Sequence, residues 1–183
     1  MFNRLNNLIK DFKGNVLVIG LDDKSLSYFN KNNKINLYSI SKDYSKSGIF
    51  KKKNKVLYNE KNLNKGKNIN IKKLRKYINN KSIDYLILNM DEIIEYYKYI
   101  IRDTINVSNN KIYIYASNNI SKDFIISRYK RYNVDIDITD YKDNYLITID
   151  NKNIKNNFIK NKIYFIKDTL YNIAELIGNI LAS

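Results

Sequence analysis

Apolar residues follow two rhythms along this chain, and the rhythm changes near residue 133. Before that point, short apolar runs alternate with stretches whose apolar residues recur every three or four positions, the spacing of strands and amphipathic helices. Phe2, Leu5, Leu8, Ile9 and Phe12 predict an N-terminal helix. Asn15 to Ile19 (NVLVI) is a first strand that ends on Gly20, and a helix follows over Lys24 to Asn30. Ile35 to Ile40 (INLYSI) is a second strand, and Val56 to Tyr58 a short third one. Ser41 to Lys55 and Asn62 to Asn68 read as polar loops. Ile69 to Ile78 places Ile71, Leu74, Tyr77 and Ile78 on one helical side. Asp84 to Leu88 (DYLIL) and Lys111 to Ala116 (KIYIYA) are further strands. Between them lies a helix over Asp91 to Val107, with Ile94, Tyr97, Ile101 and Ile105 on one face. Ser121 to Tyr132 is the next helix.

After residue 133, apolar and polar residues alternate strictly in Val134 to Thr139 and again in Tyr145 to Asp150. Near-continuous apolar strands suit a buried parallel sheet, whereas strict alternation around a turn suits an antiparallel hairpin. Lys162 to Ile166 suggests one more short strand. Leu170, Ile173, Ala174, Ile177 and Leu181 form the apolar stripe of a terminal helix, which either joins the core or forms a homodimer seam. The fold expected is α/β, a Rossmann-like three-layer sandwich. Its mostly parallel seven-stranded sheet ends in an antiparallel hairpin. One domain of 183 residues is expected, with an N-terminal helix over 1–13, a core over 14–150 and a C-terminal strand and helix over 151–183.

Composition narrows the chemistry. The chain holds no Pro, Cys, His or Trp and only five Gly. Lys, Asn, Ile and Tyr take their place, as coding in an AT-rich genome favours. Without His there is no Ser-His-Asp triad and no imidazole metal ligand. Without Cys there is no thiolate nucleophile and no zinc ribbon. No metal is expected, since Asp135 and Asp137 alternate with apolar residues as the solvent face of a strand does. No apolar run approaches the roughly 18 residues that span a bilayer, and Met1 to Phe12 lacks the apolar centre of a signal peptide. A soluble cytoplasmic protein is expected.

Charge is concentrated. The net charge is +15, and Lys42 to Lys81 holds fourteen Lys/Arg against two acids, Asp43 and Glu60, a local excess of 14 − 2 = +12. Such a field attracts polyanions. Lys51, Lys52, Lys53, Lys72, Lys73 and Lys76 are the candidate contacts. RNA is the natural partner, with an acidic protein or membrane surface as alternatives, and a merely solvated basic face is the plain reading.

Strand-helix alternation closing on a hairpin resembles the class I S-adenosylmethionine-dependent methyltransferases. The resemblance covers roughly Leu8 to Asp150. It rests on NVLVIG and on IDYLILNMDEIIEYYKYI followed by NNKIYIYA. It implies S-adenosylmethionine as cofactor, bound at the C-terminal ends of the strands. Gly20 matches the first glycine of the family's G-x-G-x-G loop; Asp22 and Lys24 stand where the other two are expected. Ser39 falls where the family carries a ribose-binding acid. Asn59 and Glu60 fall where an adenine contact is expected. Asn89 and Asp91, after the fourth strand, are the candidate catalytic residues. Gly20 could equally serve only the turn, and Asp22 and Asn89 could serve as helix caps. Three functions remain open: a methyltransferase acting on RNA or another anionic substrate, a catalytically inactive scaffold of that fold, and another Rossmann-like nucleotide-binding domain. The last rests on VLVIGLDDKSLS, which also resembles the opening of the Mur ligase N-terminal domain.

Overall fold

The computed structural model describes residues 8–30, 32–40, 54–58, 67–69, 74–75 and 78–152, together with residues 163, 166, 170, 173, 174 and 177. Eight strands form one sheet: β1 (Gly14–Ile19), β2 (Ile35–Ile40), β3 (Asn54–Tyr58), β4 (Lys67–Ile69), β5 (Ile83–Asn89), β6 (Ser108–Ser117), β7 (Asp135–Asp140) and β8 (Asn144–Asp150). Their order is β4-β3-β2-β1-β5-β6-β8-β7. The four central strands β2, β1, β5 and β6 are parallel to one another. β8 runs antiparallel between β6 and β7, and β3 runs antiparallel between β2 and β4. Six of the eight strands therefore point the same way.

The helices are α1 (Asp23–Asn30), α2 (Met90–Ile93), α3 (Tyr97–Val107) and α4 (Lys122–Lys130), with a 3-10 turn over Ile94–Tyr96 between α2 and α3. Alternation along the strands sorts side chains to the two sheet faces. Leu17, Ile19, Leu86, Leu88, Ile112 and Ile114 pack against α2, α3 and α4 through Met90, Ile93, Tyr97, Ile100, Ile125 and Tyr129. Val16, Val18, Leu37, Ile87 and Tyr113 pack on the other face against Ile9, Phe12, Leu26 and Phe29. Phe12 stacks on Tyr85 with ring centroids 4.3 Å apart. The result is the three-layer arrangement.

Polar groups pin these layers. The Tyr97 hydroxyl donates to the Ile125 carbonyl at 3.1 Å, and the hydroxyls of Thr104 and Tyr129 share a 2.9 Å bond, joining α3 to α4. Buried Asp103 accepts from Arg75 Nε at 2.7 Å and so anchors the 3-10 turn at residues 74–75 to α3. At Gly14 (φ +88°) the Asp84 carboxylate fills the space of a Cβ and accepts from the Asn15 amide at 2.8 Å.

Several readings of the sequence change. The sheet has eight strands rather than seven, because Lys67–Ile69, read as loop and helix start, adds β4 beside β3. The third strand exists, and it pairs with β2 antiparallel. The helix expected over Asp91 to Val107 is divided by its 3-10 turn, which no Pro or Gly marks in the sequence. Ile163 and Ile166, placed in a strand, are helical, as are Leu170, Ile173, Ala174 and Ile177. Among the described residues no helix is long and apolar enough to cross a membrane.

Candidate functional site

Parallel strands align their C-terminal ends, and in open α/β sheets ligands bind outside those ends. Here the edge is built from Gly20, Ile40, Asn89 and Ser117. Ile19 is in register with Ile40 of β2 and Leu88 of β5, so Gly20 is the first residue beyond the paired part of β1. Its amide donates to the Ile40 carbonyl at 2.9 Å. Its carbonyl accepts from Asn89 Nδ2 at 3.0 Å. One buried glycine thus joins the ends of three strands. Its φ of +83° favours glycine. A Cβ there would lie 3.1 Å from the Asn89 carbonyl oxygen and 3.1 Å from Glu92 Cβ. The absent side chain leaves room for α2 to pack closely.

Asp22 caps α1. Its Oδ1 accepts from the Ser25 amide at 2.7 Å, and its carbonyl accepts from the Leu26 amide at 2.9 Å. The helix begins at Asp23, so Lys24 lies in its first turn rather than in a loop. The turn between β1 and α1 is therefore short, which accounts for the lack of further glycines.

Asn89 is not a side-chain cap for α2, since its side chain makes no capping bond there. The amide is turned to Gly20 instead. Its Oδ1 is buried and has no hydrogen-bond partner, an arrangement that ordinarily costs free energy. Asp91, two residues further on, reaches across to the end of β6. Its carboxylate accepts from Ser117 Oγ at 2.6 Å and from the Ser117 amide at 3.2 Å. Burial first, then the charge of Asp91, pushes the Tyr145 phenol up to about 12. Burial also raises Tyr115, with Asp91 and then Asp143 adding to it.

Beyond Ser117 the same edge opens into a cleft of about 460 Å³ lined by Asn118, Ile120, Lys122, Asp123, Asp140 and Tyr141. Lys122 pairs with Asp140 and lies 5.4 Å from the centre of the Tyr145 ring. The Tyr145 hydroxyl donates to the Ile120 carbonyl at 2.8 Å. Sequence reasoning missed this cleft. Its walls come from the start of α4 and the hairpin, and no spacing along the chain links the two.

Among the sequence-predicted residues, Gly20, Asp22, Asn89 and Asp91 lie along this edge. Ser39 is buried within β2, in register with Val18 on one side and Leu57 on the other, one residue short of the strand end. Asn59, Glu60, Lys51, Lys52, Lys53, Lys72, Lys73 and Lys76 lie outside the described residues.

Comparison with known proteins supports this geometry at the level of fold. No family model matches the chain, and no curated protein matches it. Solved structures do. TrmK from M. capricolum, in complex with the cofactor product S-adenosyl-homocysteine, superposes with a TM-score of 0.52 at 16% identity, over 97% of this chain and 85% of that one. A protein from Agrobacterium tumefaciens described as a predicted O-methyltransferase superposes with a TM-score of 0.51 at 11% identity, over 74% of this chain and 73% of that one. The chain has the class I methyltransferase-like fold.

Proposed function

We propose that this chain is an S-adenosylmethionine-dependent methyltransferase acting on RNA or another polyanion. The cofactor would lie over the Gly20–Asp22 turn, with the acceptor near Asn89. The observation that carries this reading is the agreement in fold, over 97% of the chain, with a structure holding S-adenosyl-homocysteine.

Residues at the edge fit such a ligand in part. The capped start of α1 stands at the end of β1, whereas Gly20 and Asn89 Oδ1 are buried beneath the edge. A ribose-binding acid at the end of β2 is absent among the described residues, since buried Ser39 stands at the expected position and β2 ends on Ile40. When bound, the cofactor supplies an electrophilic methyl group. This chain's residues would supply position. Gly20 and Asn89 fix the strand ends. Asp91 holds the rim through Ser117, and the 460 Å³ cleft beside it would admit part of an acceptor. Methyl transfer needs alignment more than proton movement, so a chain without His suffices. Lys51, Lys52, Lys53, Lys72, Lys73 and Lys76 would draw in phosphates.

One observation favours a second reading, an inactive scaffold of the same fold. Asp22 and Lys24 replace two glycines of the family pattern, and Asp22 caps α1. Transfer of labelled methyl groups from S-adenosylmethionine to RNA separates the two. The first reading predicts incorporation that falls with added salt. RNA binding without methyl incorporation would favour the scaffold.

A further inference from the structure

The cleft beyond Ser117 presents carboxylates to whatever enters it. Asn118, Ile120, Lys122, Asp123, Asp140 and Tyr141 line its 460 Å³, a volume in the range of small-ligand sites. Asp140 is paired with Lys122. Asp123 is exposed, and among the described residues neither a hydrogen bond nor an ion pair holds its carboxylate. Two carboxylates against one ammonium leave the lining with a net negative charge. A phosphate fits poorly here. The N-terminus of α4 would attract one, but Ser121 Oγ already accepts from the Phe124 amide at 3.3 Å, and Asp123 puts a carboxylate in the first turn. The basic segment 42–81 contains β3 and β4, and these strands stand at the opposite edge of the sheet from β7.

We propose that the cleft binds a guanine base of single-stranded RNA, next to the base that receives the methyl group. This rests on the RNA methyltransferase reading above. Asn89 ends β5, whereas the cleft lies between the start of α4, which follows β6, and the hairpin of β7 and β8. Two strand spacings separate the two places, about 10 Å. That is farther than one base reaches, so the cleft holds a neighbour of the acceptor. Guanine follows from the donors. Its N1–H and 2-amino N–H lie side by side, and a carboxylate accepts both at once. Adenine and cytosine set one amino group beside a ring acceptor, which a carboxylate repels. Uracil has one N–H between two carbonyls. Asp123 supplies the carboxylate. Lys122 gives one donor to Asp140 and has others for guanine O6. Tyr141 supplies an aromatic ring for stacking. The phosphates stay outside, repelled by the carboxylates and drawn to the basic end of the sheet.

Nuclear magnetic resonance titration of the full chain with GMP, IMP, AMP and UMP tests this. All four carry the same sugar and phosphate, so only the base differs. GMP should shift the amides of Asn118 to Asp123 and of Tyr141 saturably. IMP lacks only the 2-amino group and should bind about tenfold more weakly, the effect of one hydrogen bond to a charged acceptor. AMP and UMP should leave these amides in place. Asp123→Asn replaces an exposed side chain and keeps the fold, and in it GMP and IMP should bind alike. Equal shifts from all four nucleotides would assign the cleft to phosphate. Shifts from N-acetyl-lysine methylamide but not from GMP would assign it to a basic peptide. Either result, no shift at all, or a GMP preference that survives Asp123→Asn would overturn the proposal. S-adenosyl-homocysteine binding without a guanine preference would defeat this proposal and spare the methyltransferase reading. A guanine preference without methyl transfer would do the reverse.

Discussion

Asn89 Nδ2 donates to the Gly20 carbonyl at 3.0 Å and ties the end of β5 to the end of β1. Asn89→Ala removes that donor and leaves the carbonyl of a buried glycine unpaired. It also removes the orphaned Oδ1, which offsets part of the cost. The expected loss is about 1 kcal/mol, measured as a lower urea midpoint. An unchanged midpoint would show that the bond contributes nothing to the joint between the strands.

Gly20→Ala should cost more. The residue sits at φ +83°, and the new Cβ would press on the Asn89 carbonyl and on Glu92. A loss of about 2 kcal/mol is expected from strain and crowding together. Gly20→Val should unfold the chain further, so loss of ligand binding in that variant says nothing about the ligand unless the thermal melt is recorded with it. A Gly20→Ala chain as stable as wild type would refute the packing role.

Asp91 acts at a distance on the Tyr145 phenol. In Asp91→Asn the carboxylate charge is gone, so phenolate forms more easily and the Tyr145 pKa should fall from about 12 toward the ordinary value of 10. Burial, the larger cause, remains, so the fall should be partial. Near-ultraviolet phenolate titration, with Tyr145→Phe to assign the step, measures it. A rise, or no change, would remove the electrostatic coupling.

Stability should depend on pH in one window. Tyr113 and Tyr145 are each pushed up to about 12 in the folded chain, chiefly by burial, while the unfolded chain keeps values near 10. The folded state therefore holds these protons more tightly. Their stabilising effect is complete below pH 10 and is lost as pH rises from about 10 to 12. With no His or Cys in the chain, the thermal midpoint should be nearly flat from pH 6 to 8. A steep change between pH 6 and 8, or none above 10, would contradict the assignment.

The middle of the sheet was legible because its strands are buried on both faces and read as apolar runs. NVLVI, INLYSI, DYLIL and KIYIYA all pair in parallel. The hairpin was legible through alternation, and β8 does run antiparallel between β6 and β7. The direction of β3 was not legible, since five residues with a single apolar pair carry no signal of direction. The capping role of Asp22 was legible from residue type. The role of Asn89 was only half legible: the sequence favours a cap, yet its amide goes to a glycine 69 positions earlier. Contacts of that range, like Asp91 with Ser117, depend on which strand ends the sheet order brings together. The exposure of the terminal stripe also escaped the sequence, because a core stripe and a seam stripe share the same residue types.

Binding of S-adenosyl-homocysteine, measured by titration calorimetry on the wild-type chain, tests the central claim most directly. The fold and the Gly20–Asn89 edge predict saturable binding with one ligand per chain. No binding by protein that still melts cooperatively would contradict the methyltransferase reading and leave the scaffold.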